Sequence, residues 1–171
     1  MFGKPRQLDT EEELYDVALR ALMRRAHSVH EMKKLLARRT DNDLLVQVVM
    51  ARLKEGGKLD DSRYAKQFAR QRSESRKQGK FRIARDLRAR GIPDRHINSA
   101  IKETSSDAKD SELIRQRIER KLKITRGEID DRKIASLYGS LLRAGFPSDL
   151  IRRELHRLTH EDVPEIEDTG E

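Results

Sequence analysis

The 171-residue sequence predicts an all-α protein made of three tandem three-helix repeats. Apolar residues recur at the three- and four-residue spacing of amphipathic helices rather than alternating as in half-buried strands. One stretch of sequence also recurs at a constant offset. Finally, 40% of the residues are charged and only 35% are hydrophobic, which suits short helices that each bury one narrow stripe better than a single thick core.

The repeat is clearest in a turn that occurs twice. Residues 81–101 align with residues 135–155 without a gap, so that Gly91 and Pro93 fall on Gly145 and Pro147. Glycine readily takes the left-handed conformation that ends a helix, and proline fits the first turn of the next helix. A weaker copy lies 51 residues upstream, where Thr40 replaces the glycine. The turn of that first copy is therefore expected to differ.

The first copy is predicted to span residues 10–57, after a flexible N-terminus of residues 1–9. Two pairs with the spacing of capping boxes open its first two helices, near residues 11–25 and 29–39: Thr10 with Glu13, and Ser28 with Glu31. A third helix is expected over residues 41–54. Gly56-Gly57 marks the boundary with the next copy.

The second copy is predicted over residues 58–104. Asp60 is a suitable N-cap for a helix that runs to about residue 75, and Gln78-Gly79-Lys80 interrupts it. A second helix ending at Gly91 is expected to bury one face, composed of Phe81, Ile83, Ala84 and Leu87. The third copy, residues 105–160, repeats this pattern. The acidic segment 161–171 is predicted to be disordered, because it has few apolar residues.

Several functional classes find no support in the sequence. Without cysteine there is neither a disulfide nor a thiolate metal site. Two pairs of histidines, His27/His30 and His156/His160, are closely spaced, but the second has no evident third ligand except Glu161, and no nucleotide-binding or nucleophile motif occurs. We expect no catalytic, cofactor or metal site and no enzymatic activity. No signal peptide or long apolar run is present, so a cytoplasmic monomer that does not enter membranes is expected.

The basic charge is concentrated in the middle of the chain. Residues 58–104 carry 14 Lys and Arg against 6 Asp and Glu, whereas residues 1–57 carry 11 against 9. Such an excess favours an acidic or polyanionic partner, and the loop glycine Gly79 is expected to let that partner approach closely. The predicted partner-binding surface comprises Arg63, Lys66, Arg70, Arg72, Arg76, Lys77, Lys80, Arg82, Arg85 and Arg88.

Two aromatic residues within this segment have an alternative interpretation. Tyr64 and Phe68 alternate with basic residues, as in surfaces that stack nucleic-acid bases. Their helical spacing alongside Ala65 and Ala69 favours packing in the core instead.

The sequences Lys58 to Ala65, Gln78 to Ile83 and Asp86 to Ile92 together resemble the RecX regulatory family. The resemblance extends over about residues 10–158. It implies an elongated, curved molecule that lodges in the groove of the RecA recombinase filament and represses strand exchange, ATP hydrolysis and coprotease activity. The main rival is a helix-turn-helix-like DNA-binding protein. Weak, non-specific DNA binding is compatible with either interpretation.

Overall fold

The computed structural model describes residues 7–124 and 129–160, and this part of the chain forms nine α-helices without a β-strand. The helices are α1 (Glu11–Arg24), α2 (Val29–Ala37), α3 (Asp43–Glu55), α4 (Asp61–Arg76), α5 (Lys80–Ala89), α6 (Asp94–Thr104), α7 (Asp107–Ile124), α8 (Asp131–Ala144) and α9 (Ser148–His160). The all-α prediction, with helices in three successive groups of three, is confirmed. The predicted disordered tail and residues 1–6 of the predicted flexible N-terminus lie outside the described residues.

The described residues group into two compact units. Unit 1 is drawn from Met1–Arg70 and Ala84–Glu103, and unit 2 from Gln71–Ile83 and Thr104–Glu171. The division therefore passes through α4 and α5. The boundaries of the three repeats, and the elongated, curved outline, stay predictions. None of the described helices is long and apolar enough to cross a membrane.

The first three helices share an apolar core in unit 1. Leu14 of α1, Met32 and Leu36 of α2, and Val49 and Leu53 of α3 are fully buried in it. The predicted capping box of α2 is present, because Ser28 Oγ accepts a hydrogen bond from Glu31 N and the Glu31 carboxylate accepts one from Ser28 N. These caps fix where α2 begins.

The start of α4 also follows the sequence prediction. Asp60 Oδ1 accepts a 2.9 Å hydrogen bond from Arg63 N, and this bond is the main reason that the pKa of Asp60 lies below its usual value. An ionised N-cap carboxylate suits the partial positive charge of a helix N-terminus. Along α4, Ala65, Phe68 and Ala69 are buried.

The face predicted for α5 needs one correction. Ile83, Ala84 and Leu87 are buried, but Phe81 is 59% exposed. Phe81 precedes Ile83 by two residues, which turns its side chain by about 200° around a helix of 3.6 residues per turn. The prediction that Phe81 belongs to the core was therefore wrong.

The two glycine turns predicted from the repeat adopt the same conformation. Gly91 and Gly145 have φ values of +72° and +92°. Gly91 N donates to Arg88 O, and the next amide, of Ile92, donates to Leu87 O; the equivalent bonds follow α8 at Gly145 and Phe146. This is a Schellman turn in both copies. In the first copy α2 ends at Ala37, and Thr40, which aligns with Gly91, has no positive φ. The turn of the first copy therefore differs, as predicted.

Unit 2 has its own apolar core, formed by α7, α8 and α9. Its members include Ile114, Leu141, Phe146, Leu150 and Ile151, all with exposed fractions of 2% or less. Leu141, Phe146 and Ile151 occupy the positions that Leu87, Ile92 and Ile97 hold 54 residues earlier, and those three residues are buried as well. The aligned positions are thus buried in the core in both copies.

Candidate partner-binding surface

The segment between α4 and α5 is docked within unit 2. Gly79 N donates to Ala144 O at 2.9 Å, and Phe81 N donates to Gly145 O at 3.0 Å. The N-terminal amides of α5 therefore satisfy carbonyl groups at the C-terminal end of α8. A Cβ atom at Gly79 would overlap the Gly145 backbone. The close approach that Gly79 permits is filled by this chain, so the expectation that it serves an external partner was wrong.

An equivalent contact occurs in unit 1, where the start of α2 meets the turn after α5. Ser28 Oγ donates a 2.6 Å hydrogen bond to Arg90 O, and a Cβ at Gly91 would lie 2.5 Å from Cβ of His30. Ser28 aligns with Gly79 at the 51-residue offset of the first two copies. The second helix of one copy thus begins against the glycine turn of the next copy, in both units.

This docking engages several of the predicted cations of unit 2. Arg82 is half-buried, and its Nη1 donates to Arg143 O at 3.2 Å. Lys80 Nζ lies 5.7 Å from the centre of the Phe81 ring. Arg72 and Lys77 are half-buried, and Lys77 has a positive φ of 50°. Arg76 is exposed. Most of these cations therefore pack within the unit as well as carrying charge.

Arg117 of α7 strengthens the same region and was not singled out from the sequence. Its Nη1 donates to both Arg76 O and Lys77 O at 3.1 Å, which satisfies carbonyl groups at the end of α4. Burial, with the nearby charges of Arg120 and Arg82, lowers the pKa of Arg117 from its usual value. Its sequence signal is weak, because one arginine in a charged helix does not reveal a contact 40 residues away.

The predicted cations of unit 1 lie on α4 and α5. Arg63, Lys66 and Arg70 follow the side of α4 opposite its buried residues, as predicted. Arg63 Nη2 donates to Gly57 O at 2.7 Å, and Lys66 Nζ lies 2.7 Å from Glu103 Oε1. The Arg70 side chain is exposed and forms no hydrogen bond or ion pair with the described residues.

On α5, the two remaining cations of unit 1 differ in how firmly they are held. Arg88 Nε lies 2.8 Å from Asp94 Oδ1. Arg85 is separated from Asp86 by 3.9 Å, and its side chain is 69% exposed. Arg85 is therefore more available to a partner than Arg88.

The aromatic pair of α4 is part of the packing. The Tyr64 and Phe68 rings stack with their centres 6.1 Å apart. Phe68 is 9% exposed, and the Arg90 guanidinium covers its ring at 4.9 Å. A ring so enclosed has no free face for a base, which favours the core interpretation over base stacking.

The charge totals by chain segment concealed a second basic region. Residues 17–39 contain seven Lys and Arg and a single acidic residue, Glu31. The acidic residues that neutralise the first third lie outside this stretch, and two of them, Glu11 and Glu12, pair with Arg52 of α3. A shorter counting window would have revealed this excess.

No group of three metal-ligating side chains occurs among the residues that the structure describes. His27 is buried, with Nδ1 3.0 Å from Arg25 O.

Comparison with known proteins gives concordant matches. The family model described as "RecX, second three-helix domain" matches residues 60–101. The chain is 39% identical over 142 residues to the Regulatory protein RecX of Halorhodospira halophila, covering 82% of this chain and 85% of that protein. It is 35% identical to the protein of the same name from Pseudomonas putida, covering 86% and 92%. The crystal structure of RecX from Lactobacillus salivarius superposes with a TM-score of 0.78 over 87% of this chain and 96% of that chain, at 20% identity.

Proposed function

Since the chain belongs to the RecX family of regulatory proteins, we propose that it binds the RecA recombinase filament and mainly inhibits its activities. The activities concerned are ATP hydrolysis, strand exchange and coprotease function, so the protein would act in the SOS response and in the regulation of DNA repair and recombination. The observation that carries the proposal is the 39% identity to a named regulatory protein across 82% of the chain.

We propose that contact with the filament is electrostatic and uses cations of α4 and α5. Arg70 and Arg85 of unit 1 and Arg76 of unit 2 are exposed members of the predicted set, and their side chains form no hydrogen bond or ion pair shorter than 3.9 Å with the described residues. Guanidinium groups pair well with carboxylates on a protein surface. Arg63 and Arg82 donate to backbone carbonyls, and they serve mainly to hold the local structure.

The proposed action is exerted on the partner's ATPase site, because the sequence holds no phosphate-binding motif of its own. Binding of a regulator that favours one state of the filament changes ATP hydrolysis without chemistry in the regulator. The chain is therefore proposed to be an inhibitor that does not itself catalyse a reaction.

The rival, a sequence-specific helix-turn-helix-like protein, is less well supported. A recognition helix presents donors and acceptors to base edges near its N-terminus. In the corresponding helix, α6, Asp94 pairs with Arg88, and Arg95 Nε lies 3.3 Å from His96 Nε2. The exposed basic and amide side chains near the start of α6 are limited to Arg95 and Asn98, beside the acidic Asp94, which disfavours sequence-specific readout.

The test is to titrate the full chain into RecA filaments preformed on single-stranded DNA and to measure the rate of ATP hydrolysis. We expect inhibition that saturates as the filament sites fill. A DNA-only control measures whether the chain displaces RecA by sequestering the DNA. An unchanged rate of hydrolysis, or loss of activity only at concentrations that saturate the free DNA, would contradict the proposal.

A further inference from the structure

Basic residues of α1 and α2 and of the turns beside α2 line two neighbouring cavities in unit 1. One cavity of about 350 Å³ lies along α2 and the turn before it, and a second of about 230 Å³ lies between α1 and α2. The two cavities share Leu35 and Arg39 in their walls, so they are neighbours. We call the pair the α1–α2 groove. Its cationic lining consists of Arg20, Arg24, Arg25, Lys34, Arg38 and Arg39.

Few of these charges are balanced by residues that the structure describes. Arg25 Nη1 lies 3.1 Å from the Glu31 carboxylate, and Arg20 makes a 4.0 Å contact with Asp16 in which both side chains are largely exposed. The other four, Arg24, Lys34, Arg38 and Arg39, are exposed, and their side chains form no hydrogen bond or ion pair in the described part of the chain. The groove therefore presents four cations that no described residue of the chain pairs with.

The single carboxylate of the groove does not offset this charge. Burial acts to raise the pKa of Glu31, but its hydrogen bonds with Ser28 N and the Arg25 side chain outweigh burial, and the pKa is lowered. The ionised Glu31 is thus occupied by its own helix cap and by Arg25. It neutralises one cation and leaves the others available.

We propose that the α1–α2 groove binds the phosphodiester backbone of a nucleic-acid strand without reading its bases. The unpaired cations are three arginines and a lysine, which lie on α1, on α2 and just after α2. Such a row suits a ligand with repeated charges better than one isolated anion. Guanidinium groups match phosphate oxygens in geometry. Among the described residues, no Phe, Tyr or Trp lines either cavity, and the ring of His27, which lines the first, is buried with Nδ1 3.0 Å from Arg25 O. The groove therefore offers no exposed platform for base stacking.

An acidic protein segment is the competing occupant, and the lining argues against it. Acidic peptides that dock firmly also insert apolar side chains, but the apolar lining is limited to Leu35, Val17 and Ala21. All three are half-buried, and none opens a deep apolar pocket. Phosphate contacts need no such pocket. They supply most of the affinity in non-specific nucleic-acid binding.

The test is fluorescence anisotropy of the full chain with a labelled 20-nucleotide oligo-dT, without any protein partner. We expect log Kobs to fall with log salt concentration with a slope of about −3, as for roughly four phosphates on a single strand. Affinity should be similar for a mixed-sequence strand of the same length. This experiment contains no RecA, so its outcome is independent of the proposed function.

The decisive variant is Arg24→Glu/Arg38→Glu/Arg39→Glu, which we expect to bind oligo-dT at least about tenfold more weakly. The matched control, Lys54→Glu/Lys58→Glu/Lys102→Glu, reverses three exposed cations of the same unit that do not line either cavity. The affinity of this control for oligo-dT should fall by less than about threefold. A neutral variant, Arg24→Gln/Arg38→Gln/Arg39→Gln, keeps the test valid if charge reversal lowers helicity by circular dichroism.

Three results would overturn the proposal. Equal losses in the groove variants and the control would show a response to net charge alone. Unchanged affinity in both groove variants would place the contact elsewhere. If poly-glutamate displaced the labelled strand at a lower charge concentration than unlabelled oligo-dT, the groove would be a site for acidic protein segments instead.

Discussion

The cations of α4 and α5 and those of the α1–α2 groove have different partners within the chain. Around α4 and α5, Arg63 and Arg82 donate to backbone carbonyls, and Lys66 and Arg88 pair with carboxylates. In the groove, the side chains of four of the six lining cations form no hydrogen bond or ion pair with the described residues. A basic side chain committed to packing is a poorer binding group, because a partner must first displace its present contact.

The total charge of a segment does not show which of its basic residues are available to a partner. Residues 58–104 have the larger excess of cations, but part of that excess supports the local structure. Residues 1–57 are nearly neutral in total, yet Glu31 is the one carboxylate among the described residues that line the groove. The position of each charge therefore matters more than the sum over a segment.

The largest effect should come from closing the space that the α4–α5 segment uses for docking. Gly79→Ala places a methyl group against the Gly145 backbone, which cannot move aside as a flexible side chain would. We expect the free energy of unfolding to fall by about 3 kcal/mol, at the upper end of overpacking costs. The measurement is chemical denaturation followed by circular dichroism.

Gly139→Ala is the matched control, because Gly139 lies inside α8 of the same unit and its nearest neighbour is the flexible end of Arg143. It should leave stability unchanged or raise it by up to about 1 kcal/mol, as expected for glycine replacement in a helix. Similar losses in both variants would show that Gly79 is not a docking position.

A smaller loss is expected at the glycine turn of unit 1. Gly91→Val forces a β-branched residue to adopt φ +72° and also brings Cβ within 2.5 Å of His30. We expect the free energy of unfolding to fall by about 2 kcal/mol, from the strained conformation and the overlap together. Gly57→Val, at φ +64° with no atom within 4 Å of Cβ, should cost only the conformational part, about 1 kcal/mol. If the two unfolding midpoints shift equally, the His30 contact carries no weight.

A direct comparison of the two basic regions uses one alanine substitution in each. Arg82→Ala removes the hydrogen bond to Arg143 O and should lower the free energy of unfolding by about 1 kcal/mol. Arg24→Ala removes a side chain that forms no hydrogen bond with the described residues, so it should change the free energy of unfolding by less than about 0.5 kcal/mol. If urea denaturation showed a larger loss of stability for Arg24→Ala than for Arg82→Ala, our view that Arg82 is structural and Arg24 is available to a partner would be wrong.

The smallest effect concerns Asp110, whose charge lies near Lys80. Burial raises the pKa of Asp110 above its usual 3.8, although the Ser105 hydrogen bond and Lys80 oppose this. Because the folded state holds the proton more tightly, the stabilising contribution is present below the unfolded pKa and is lost as pH rises through the folded pKa. Asp110→Asn should therefore be more stable than wild type at pH 7 and comparable near pH 3, as measured by thermal unfolding. A constant difference across this range would rule out titration of Asp110 as the cause.

Features governed by neighbours along the chain were predictable from the sequence. The caps at Asp60 and Ser28 and the turns at Gly91 and Gly145 depend on residues within one or two helical turns, and all four are present. The repeat with its 54-residue offset was also predictable, because each copy is a short motif that can be recognised in the sequence by itself.

Contacts between distant parts of the chain were not predictable in this way. Gly79 was interpreted as an open loop residue because its partner, Ala144, lies 65 residues later. The exposure of Phe81, in contrast, follows from local helix geometry, because its side chain is turned by about 200° from that of the buried Ile83. The α1–α2 groove depends on two helices packing side by side, which no count along one segment reveals.

The most direct test of the whole account is RecA inhibition by charge-reversal variants of the two regions. Arg70→Glu/Arg76→Glu/Arg85→Glu reverses the accessible cations of α4 and α5, and Arg24→Glu/Arg38→Glu/Arg39→Glu reverses the groove. Both should retain wild-type helicity. In the ATP hydrolysis assay, we expect the first variant to need at least about tenfold more protein for half-maximal inhibition, which corresponds to roughly 1.4 kcal/mol. For the groove variant, the protein concentration at half-maximal inhibition should stay within about threefold of the wild-type value. Loss of inhibition by the groove variant alone, with the α4–α5 variant unaffected, would contradict the assignment of RecA binding to α4 and α5.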